Sequence, residues 1–142
     1  MIIGFAFSTV SVERKNPLKG KVEVKYHLSI EDVLEESMPL AAGQMALRLP
    51  FKFSASYDPK IGSVELLGNV VYLTDDKTAK SLMDNWKKKK KLGDEKVAAV
   101  IFNNVLTRCN VRALSLAQEV GLPPHFPLPH VAPKDNVKEY IG

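Results

Sequence analysis

Three histidines, one cysteine, two adjacent carboxylate pairs and a run of five lysines are the side chains of this 142-residue sequence that could do chemistry. His125 and His130 are five apart in a proline-rich stretch, where neither a helix nor a tight ligand knuckle would aim both at one ion. With Cys109 they would form a three-ligand metal site only by tertiary coincidence. A cysteine–histidine nucleophile pair has no support from spacing either. Position favours surface histidines, His27 included, and a small buried hydrophobe at Cys109. Asp75-Asp76 and Asp94-Glu95 both fall where a helix begins. There, carboxylates accept from free N–H groups and meet the positive end of the helix dipole, so capping explains them better than acid–base catalysis. No glycine-rich phosphate loop is present. The residues therefore name no catalytic group, no metal site and no cofactor, and the chain reads as a non-enzyme.

Lys87, Lys88, Lys89, Lys90 and Lys91 are the boldest feature. Five consecutive lysines at a helix end point around most of its circumference, so some must face water. They complement the negative end of a helix dipole and aid solubility. They also suit an acidic partner: RNA, DNA or an acidic protein. Trp86 adjoins the run and could stack on a base, but its register with Leu82 and Met83 places it on the apolar face. Eight lysines oppose four acids between Asp76 and Lys96, and the rest of the chain is nearly balanced. The net charge of +4 and the pI near 9.1 are thus largely local.

Positioning these residues falls to a long amphipathic run, Asp94 to Pro129. Ala98, Phe102, Val105, Cys109, Ala113, Leu116 and Val120 recur at steps of three and four, which is one face of a helix. Asn104, Thr107, Arg108, Arg112, Ser115, Gln118 and Glu119 make the wet side. Gly121 can take a left-handed conformation past the last turn, and Pro123 and Pro124 forbid continuation. The helix spans about 26 residues, roughly 39 Å at 1.5 Å per residue, and its stripe needs a broad partner, most simply a sheet. A shorter helix covers Asp76 to Lys91, capped by Thr74 or Asp75, packed through Ala79, Leu82, Met83 and Trp86 and ended by Gly93.

The sheet precedes the helices. Ile3, Phe5, Phe7 and Thr9 alternate, then Val10 and Val12 change parity, which predicts a bulge near Thr9. Asn16 to Gly20 is a turn, and Val22 to Ile30 alternates cleanly. Ser29-Ile30-Glu31-Asp32 is similar to a capping box, so a short helical turn is expected before the loop at Met38 to Gly43. A third strand runs Met45 to Tyr57, with Pro50 at an edge or bend. Asp58 to Gly62 is a hairpin turn. The fourth strand, Ser63 to Leu73, is apolar on both faces and should be covered on both sides, with Gly68 at a bulge or close approach. The expected architecture is α+β: a four-stranded antiparallel meander with the long C-terminal helix and the shorter helix on one face. Residues 1–142 form one domain in this reading, with 121–142 an extended proline-rich tail pinned by Leu122, Phe126, Leu128 and Val131.

Composition excludes other classes. With 45% hydrophobic and 25% charged residues the chain is neither disordered nor membrane-like. No apolar run approaches the roughly 18 residues of a spanning helix, and Met1 to Phe5 lacks the basic start of a signal peptide. The single cysteine precludes an internal disulfide and fits a reducing compartment, so a cytoplasmic location without membrane contact is expected.

The order of elements resembles SecB, the bacterial protein-export chaperone family. The likeness rests on the strands around Phe51-Lys52-Phe53 and Val70-Val71-Tyr72, the long helix Val97 to Val120, and Gly121-Leu122-Pro123-Pro124-His125-Phe126-Pro127-Leu128-Pro129. The resemblance implies a four-stranded sheet with packed helices, assembly as a dimer of dimers, and hydrophobic grooves that hold unfolded chains. SecB's acidic surface and zinc-binding tail have no counterpart in this basic chain, which reads as an archaeal-type relative of the fold without the motor-docking parts. The expected function is chaperone-like binding of unfolded or extended polypeptide by a homo-oligomer, dimer or tetramer. A basic nucleic-acid- or ribosome-associated role for Lys87–Lys91 is the alternative. Phe5, Phe7, Phe51, Phe53 and Tyr57 supply the aromatic surface. Most of it should be core, but helices cover one sheet face only, and apolar surface left over would be an oligomer interface or a groove for polypeptide.

Overall fold

The computed structural model describes residues 1–127. Its elements in chain order are β1 (Ile2–Arg14), β2 (Glu23–Ile30), β3 (Leu34–Glu36), β4 (Gln44–Asp58), β5 (Gly62–Asp75), α1 (Asp76–Lys89) and α2 (Glu95–Glu119). All strand pairs are antiparallel, and the class is α+β as expected.

The strand order is β1-β5-β4-β2, with β3 also on β4. Strands β2, β4 and β5 follow one another as in a meander, but β1 lies beside β5, not β2. The two first strands are therefore the two edges of the sheet, and residues 15–22 must cross its end. They do so over the β4–β5 hairpin, where the N–H groups of Lys15 and Asn16 donate to the Ile61 carbonyl at 2.7 and 3.3 Å. This is a Greek-key order. Alternation within a strand fixes its faces and leaves its neighbours open, so the local pattern could not supply it.

The expected bulge is present. Register shifts between Phe7 and Thr9, so Phe5, Phe7, Val10 and Val12 share one face despite their change of parity. The expected helical turn after Ile30 is not. Leu34–Glu36 is instead a strand on Ala46–Arg48. β4 is 15 residues long and β2 pairs only with its Phe51–Asp58 part, leaving backbone groups at the other end that β3 satisfies. Pro50 sits at the gap between β2 and β3. It has no N–H to give, and its carbonyl accepts from Glu31 N–H at 2.8 Å. Gly68 is a close approach: a Cβ there would collide with the Ala6 carbonyl and the Phe51 ring.

One sheet face holds Leu47, Leu49, Phe51, Phe53, Ala55 and Tyr57 of β4 opposite Val64, Leu66, Val70 and Tyr72 of β5. Both helices pack here, and a single hydrophobic cluster joins them to the sheet. Each large side chain so buried contributes about 1.5–3 kcal/mol. Among the described residues nothing covers the other face. Leu67, Val71 and Leu73 are half-buried there among Lys52, Ser56 and Glu65, so β5 is packed on one side, not two as its composition suggested.

Asp75, not Thr74, caps α1, accepting from Thr78 N–H at 3.0 Å and from the Thr78 hydroxyl at 2.8 Å. These bonds hold the Asp75 carboxyl below its usual range. The helix ends at Lys89 because Lys90 takes the left-handed conformation (φ 57°), earlier than the glycine stop expected at Gly93. Asp94 caps α2 through the N–H groups of Lys96 and Val97. At the far end Leu122 N–H returns to the Ala117 carbonyl at 2.8 Å around a left-handed Gly121. That is a Schellman ending with buried Leu122 as its apolar contact.

Candidate binding groove

β2 pairs with β4 on one side and with no strand on the other among the described residues. α2 packs over β5 and β1 and α1 over β4 and β5, so neither helix lies squarely over β2. Its core-side residues are accordingly part open: Val24 and Leu28 are half-buried, and Tyr26 is 49% exposed. The strand thus borders a trough between the sheet edge and the helices.

At the Ile30 end the trough is a hollow of about 580 Å³. Its apolar lining is Leu28, Ile30, Trp86, Leu92, Ala98 and Phe102; Lys90 and Lys91 stand on one rim, Asp94 and Glu95 on another. The wall is fixed by the turn from α1 to α2. Lys90 N–H returns to the Trp86 carbonyl at 2.9 Å, buried Leu92 anchors the turn, and the Asn85 amide donates to the Leu92 carbonyl at 3.4 Å. Gly93 (φ +78°) must be glycine, since a Cβ would strike the Asn85 side chain. Trp86 is 9% exposed, on the apolar face as its register required. Its Nε1–H is buried without an acceptor, which costs about 1–3 kcal/mol. The Lys90 ammonium stands 6.0 Å from the ring centroid.

At the Val24 end a second hollow, about 640 Å³, lies between Leu18, Val22 and Val24 and the segment Pro123 to Pro127. That segment is a strap folded back from α2. Tyr57 Oη donates to the Pro123 carbonyl at 2.6 Å, and burial pushes its phenol above the usual pKa. His125, expected at the surface, is only 3% exposed. Its ring meets Tyr26, Phe53 and Phe126 edge-on at 5.3, 5.5 and 4.8 Å. Nε2 lies 2.8 Å from Asn110 Oδ1 and so carries the proton, while Nδ1 is buried with no partner. Burial holds this imidazole below its ordinary pKa. Tyr26 and His125 stand between the two hollows. Phe126 is half-buried; Leu128, Val131 and His130 lie outside the described residues.

The expected aromatic sites separate into two groups. Phe51, Phe53 and Tyr57 are at most 1% exposed and serve as core beneath the helices, out of a ligand's reach. Phe5 and Phe7 are half-buried on β1, at the opposite edge from the trough. Phe5 stacks on Phe51 at 5.3 Å, with the Arg108 guanidinium 4.8 Å over its ring. Of the Ile30-end hollow the sequence singled out Lys90 and Lys91, as part of the basic patch, but not the apolar lining as a site. Its signal was faint: Ala98 and Phe102 sit at one margin of the α2 stripe and Trp86 at the end of the α1 stripe, where a face passes from core to surface. Lys87 to Lys91 are all exposed. His27 is exposed at the rim. Cys109 is fully buried, its thiol pushed up to about 12 by desolvation, and is not a nucleophile. Among the described residues no three of His, Cys, Asp and Glu come together as a metal site, and no helix is long and apolar enough to cross a membrane.

The arrangement can accommodate an extended apolar chain. Beside its apolar lining the Ile30-end hollow carries His27, Ser29, Lys90, Lys91, Asp94 and Glu95. No protein-family model matches the sequence, and no curated protein matches it. The fold is similar to a solved SecB-like chaperone of Mycobacterium tuberculosis, in complex with a ChAD peptide from the HigA1 antitoxin. The TM-score is 0.52 at 9% identity, over 93% of this chain and 89% of that one. The likeness is one of fold.

Proposed function

We propose that this protein is a non-enzymatic, chaperone-like binder of extended or unfolded polypeptide. The observation that carries this reading is the apolar trough beside the edge of β2 that pairs with no strand among the described residues, an edge over which neither helix squarely lies. An extended segment laid along β2 gains main-chain hydrogen bonds from the strand edge and sets alternate side chains into the hollow of Leu28, Trp86, Leu92 and Phe102. Affinity comes from apolar area, and sequence preference from the rims. A SecB-like chaperone of similar fold solved with a peptide supports the reading. Self-association belongs to it as well: Val100 and Val111 are 50% and 66% exposed on the outer side of α2, and one sheet face is uncovered. Light scattering of an aggregating, denatured client tests the binding. Suppression at near-stoichiometric protein is expected, and unchanged aggregation would overturn it. Sedimentation gives the assembly, with a dimer or tetramer expected.

A second reading rests on the five exposed lysines: attachment to nucleic acid or to the ribosome. It requires binding that falls steeply with salt and disappears when Lys87 to Lys91 become glutamine.

A further inference from the structure

The net charge of the chain is concentrated in the turn from α1 to α2, which walls the Ile30 end of the trough. From Lys87 to Lys96 six lysines oppose two carboxylates, an excess equal to the net +4 of the whole sequence. Those two carboxylates sit at the start of α2. Asp94 accepts from two backbone N–H groups, and Glu95 lies in the first turn, facing the positive end of the dipole. The lysines are not engaged. The ion pairs among the described residues, Lys25–Glu23 and Arg48–Glu36, involve none of them. Lys90 and Lys91 line the hollow itself, and Lys90 is held there by its left-handed capping position and its approach to Trp86. An apolar floor therefore meets Lys90 and Lys91 on one rim, and an indole N–H beside that floor has no acceptor among the described residues.

We propose that this hollow selects apolar polypeptide segments flanked by acidic residues, with Lys90 and Lys91 as the specificity-determining residues. The inference rests on the reading of the trough as a polypeptide site and deepens it. The apolar side chain enters between Leu28, Leu92 and Phe102, the flanking carboxylates meet Lys90 and Lys91, and a client carbonyl answers the Trp86 N–H once the ring turns toward it. Single-stranded RNA fits less well, because four of the six apolar lining residues, Leu28, Ile30, Leu92 and Ala98, are aliphatic and offer no face on which bases could stack.

Trp86 is the only tryptophan of the chain, so its emission reports occupancy directly. The probes are tryptophan-free synthetic peptides with one common leucine–phenylalanine core, flanked by glutamate, serine or lysine. At low salt the glutamate-flanked peptide is expected to shift Trp86 emission and bind about tenfold more tightly than the lysine-flanked one, an advantage that shrinks as salt is added. The double variant Lys90→Glu/Lys91→Glu, altered only at exposed positions and checked for native circular dichroism, should reverse the order. Equal affinity of all three peptides, each with a Trp86 response, would overturn the acid preference and leave the polypeptide site standing. Failure of every peptide to bind would remove the site and the preference together. An oligouridylate that binds more tightly than the glutamate-flanked peptide, with the same Trp86 response, would overturn the proposal in favour of RNA.

Discussion

The hydroxyl of Tyr57 in β4 donates to the carbonyl of Pro123, 66 residues further along the chain and just beyond the end of α2. The phenol body is core, while its oxygen reaches the strap that walls the Val24 end of the trough. One hydrogen bond thus ties the sheet to a segment that has little secondary structure of its own. Tyr57→Phe keeps the packing and deletes the bond. The expected cost is about 1 kcal/mol in denaturant unfolding. Faster cleavage of the chain within residues 121–127 should accompany it, with the proteolytic stability of α1 unchanged.

His125 makes the strap sensitive to acid. Its neutral ring donates through Nε2 to Asn110, and Nδ1 has no partner among the described residues, so a proton added there would find no acceptor. The groups that face it are Tyr26 of β2, Phe53 of β4, Asn110 of α2 and Phe126 of the strap, none of them charged. The folded pKa is below the unfolded one, so between the two values the unfolded chain binds more protons. Stability is fully present above the ordinary histidine pKa near 6.5 and is lost as pH falls below it toward the folded value. Thermal unfolding should show a lower melting temperature at pH 5 than at pH 7. His125→Gln keeps an amide donor for Asn110 and should flatten that slope; a slope of equal size in the variant would assign it to other groups.

Much of this fold can be read from local pattern. The bulge that turns Val10 and Val12 onto the face of Phe5 and Phe7, the caps at Asp75 and Asp94 and the left-handed Gly121 all rest on residues within a few positions of one another. What could not be read depends on distant partners. β1 lies beside β5, a neighbour some sixty residues away. Ser29 to Asp32 has the letters of a capping box, yet the unpaired end of β4 draws Leu34–Glu36 into a strand. By its sequence position His125 belongs to the tail; only the placement of Asn110 and Phe53 beside it makes it core. The trough follows the same rule. The stripes of α1 and α2 were legible, but that both helices stop short of β2 is a property of their placement on the sheet, not of either stripe.

Cys109 offers a measure of how the core opens. It lies on the buried side of α2 with no exposed surface and a thiol pushed up to about 12. Thiolate is the reactive form, so both burial and protonation protect it. Native protein at pH 8 should react with a maleimide far more slowly than protein in denaturant, and its rate should follow global unfolding as urea is added. Rapid native labelling would mean that α2 lifts from β5 without unfolding.

Phe53 and Phe102 should fail in different ways. Phe53 is fully buried in β4, stacked beneath the helices, and Phe53→Ala leaves a cavity costing about 3–5 kcal/mol. That approaches the whole stability of a small domain, so any loss of polypeptide binding in this variant would track loss of the native circular dichroism. Phe102 is half-buried on α2 and presents one side to the hollow beside Trp86. With part of the side chain already in water, Phe102→Ala should cost about 1–2 kcal/mol in unfolding. It should also weaken peptide binding about five- to tenfold, because the side chain lost is one the ligand would cover. Measuring both quantities on both variants separates a floor that merely holds the sheet together from a wall that touches the client. Native folding with undiminished affinity in Phe102→Ala would place the polypeptide elsewhere on the protein.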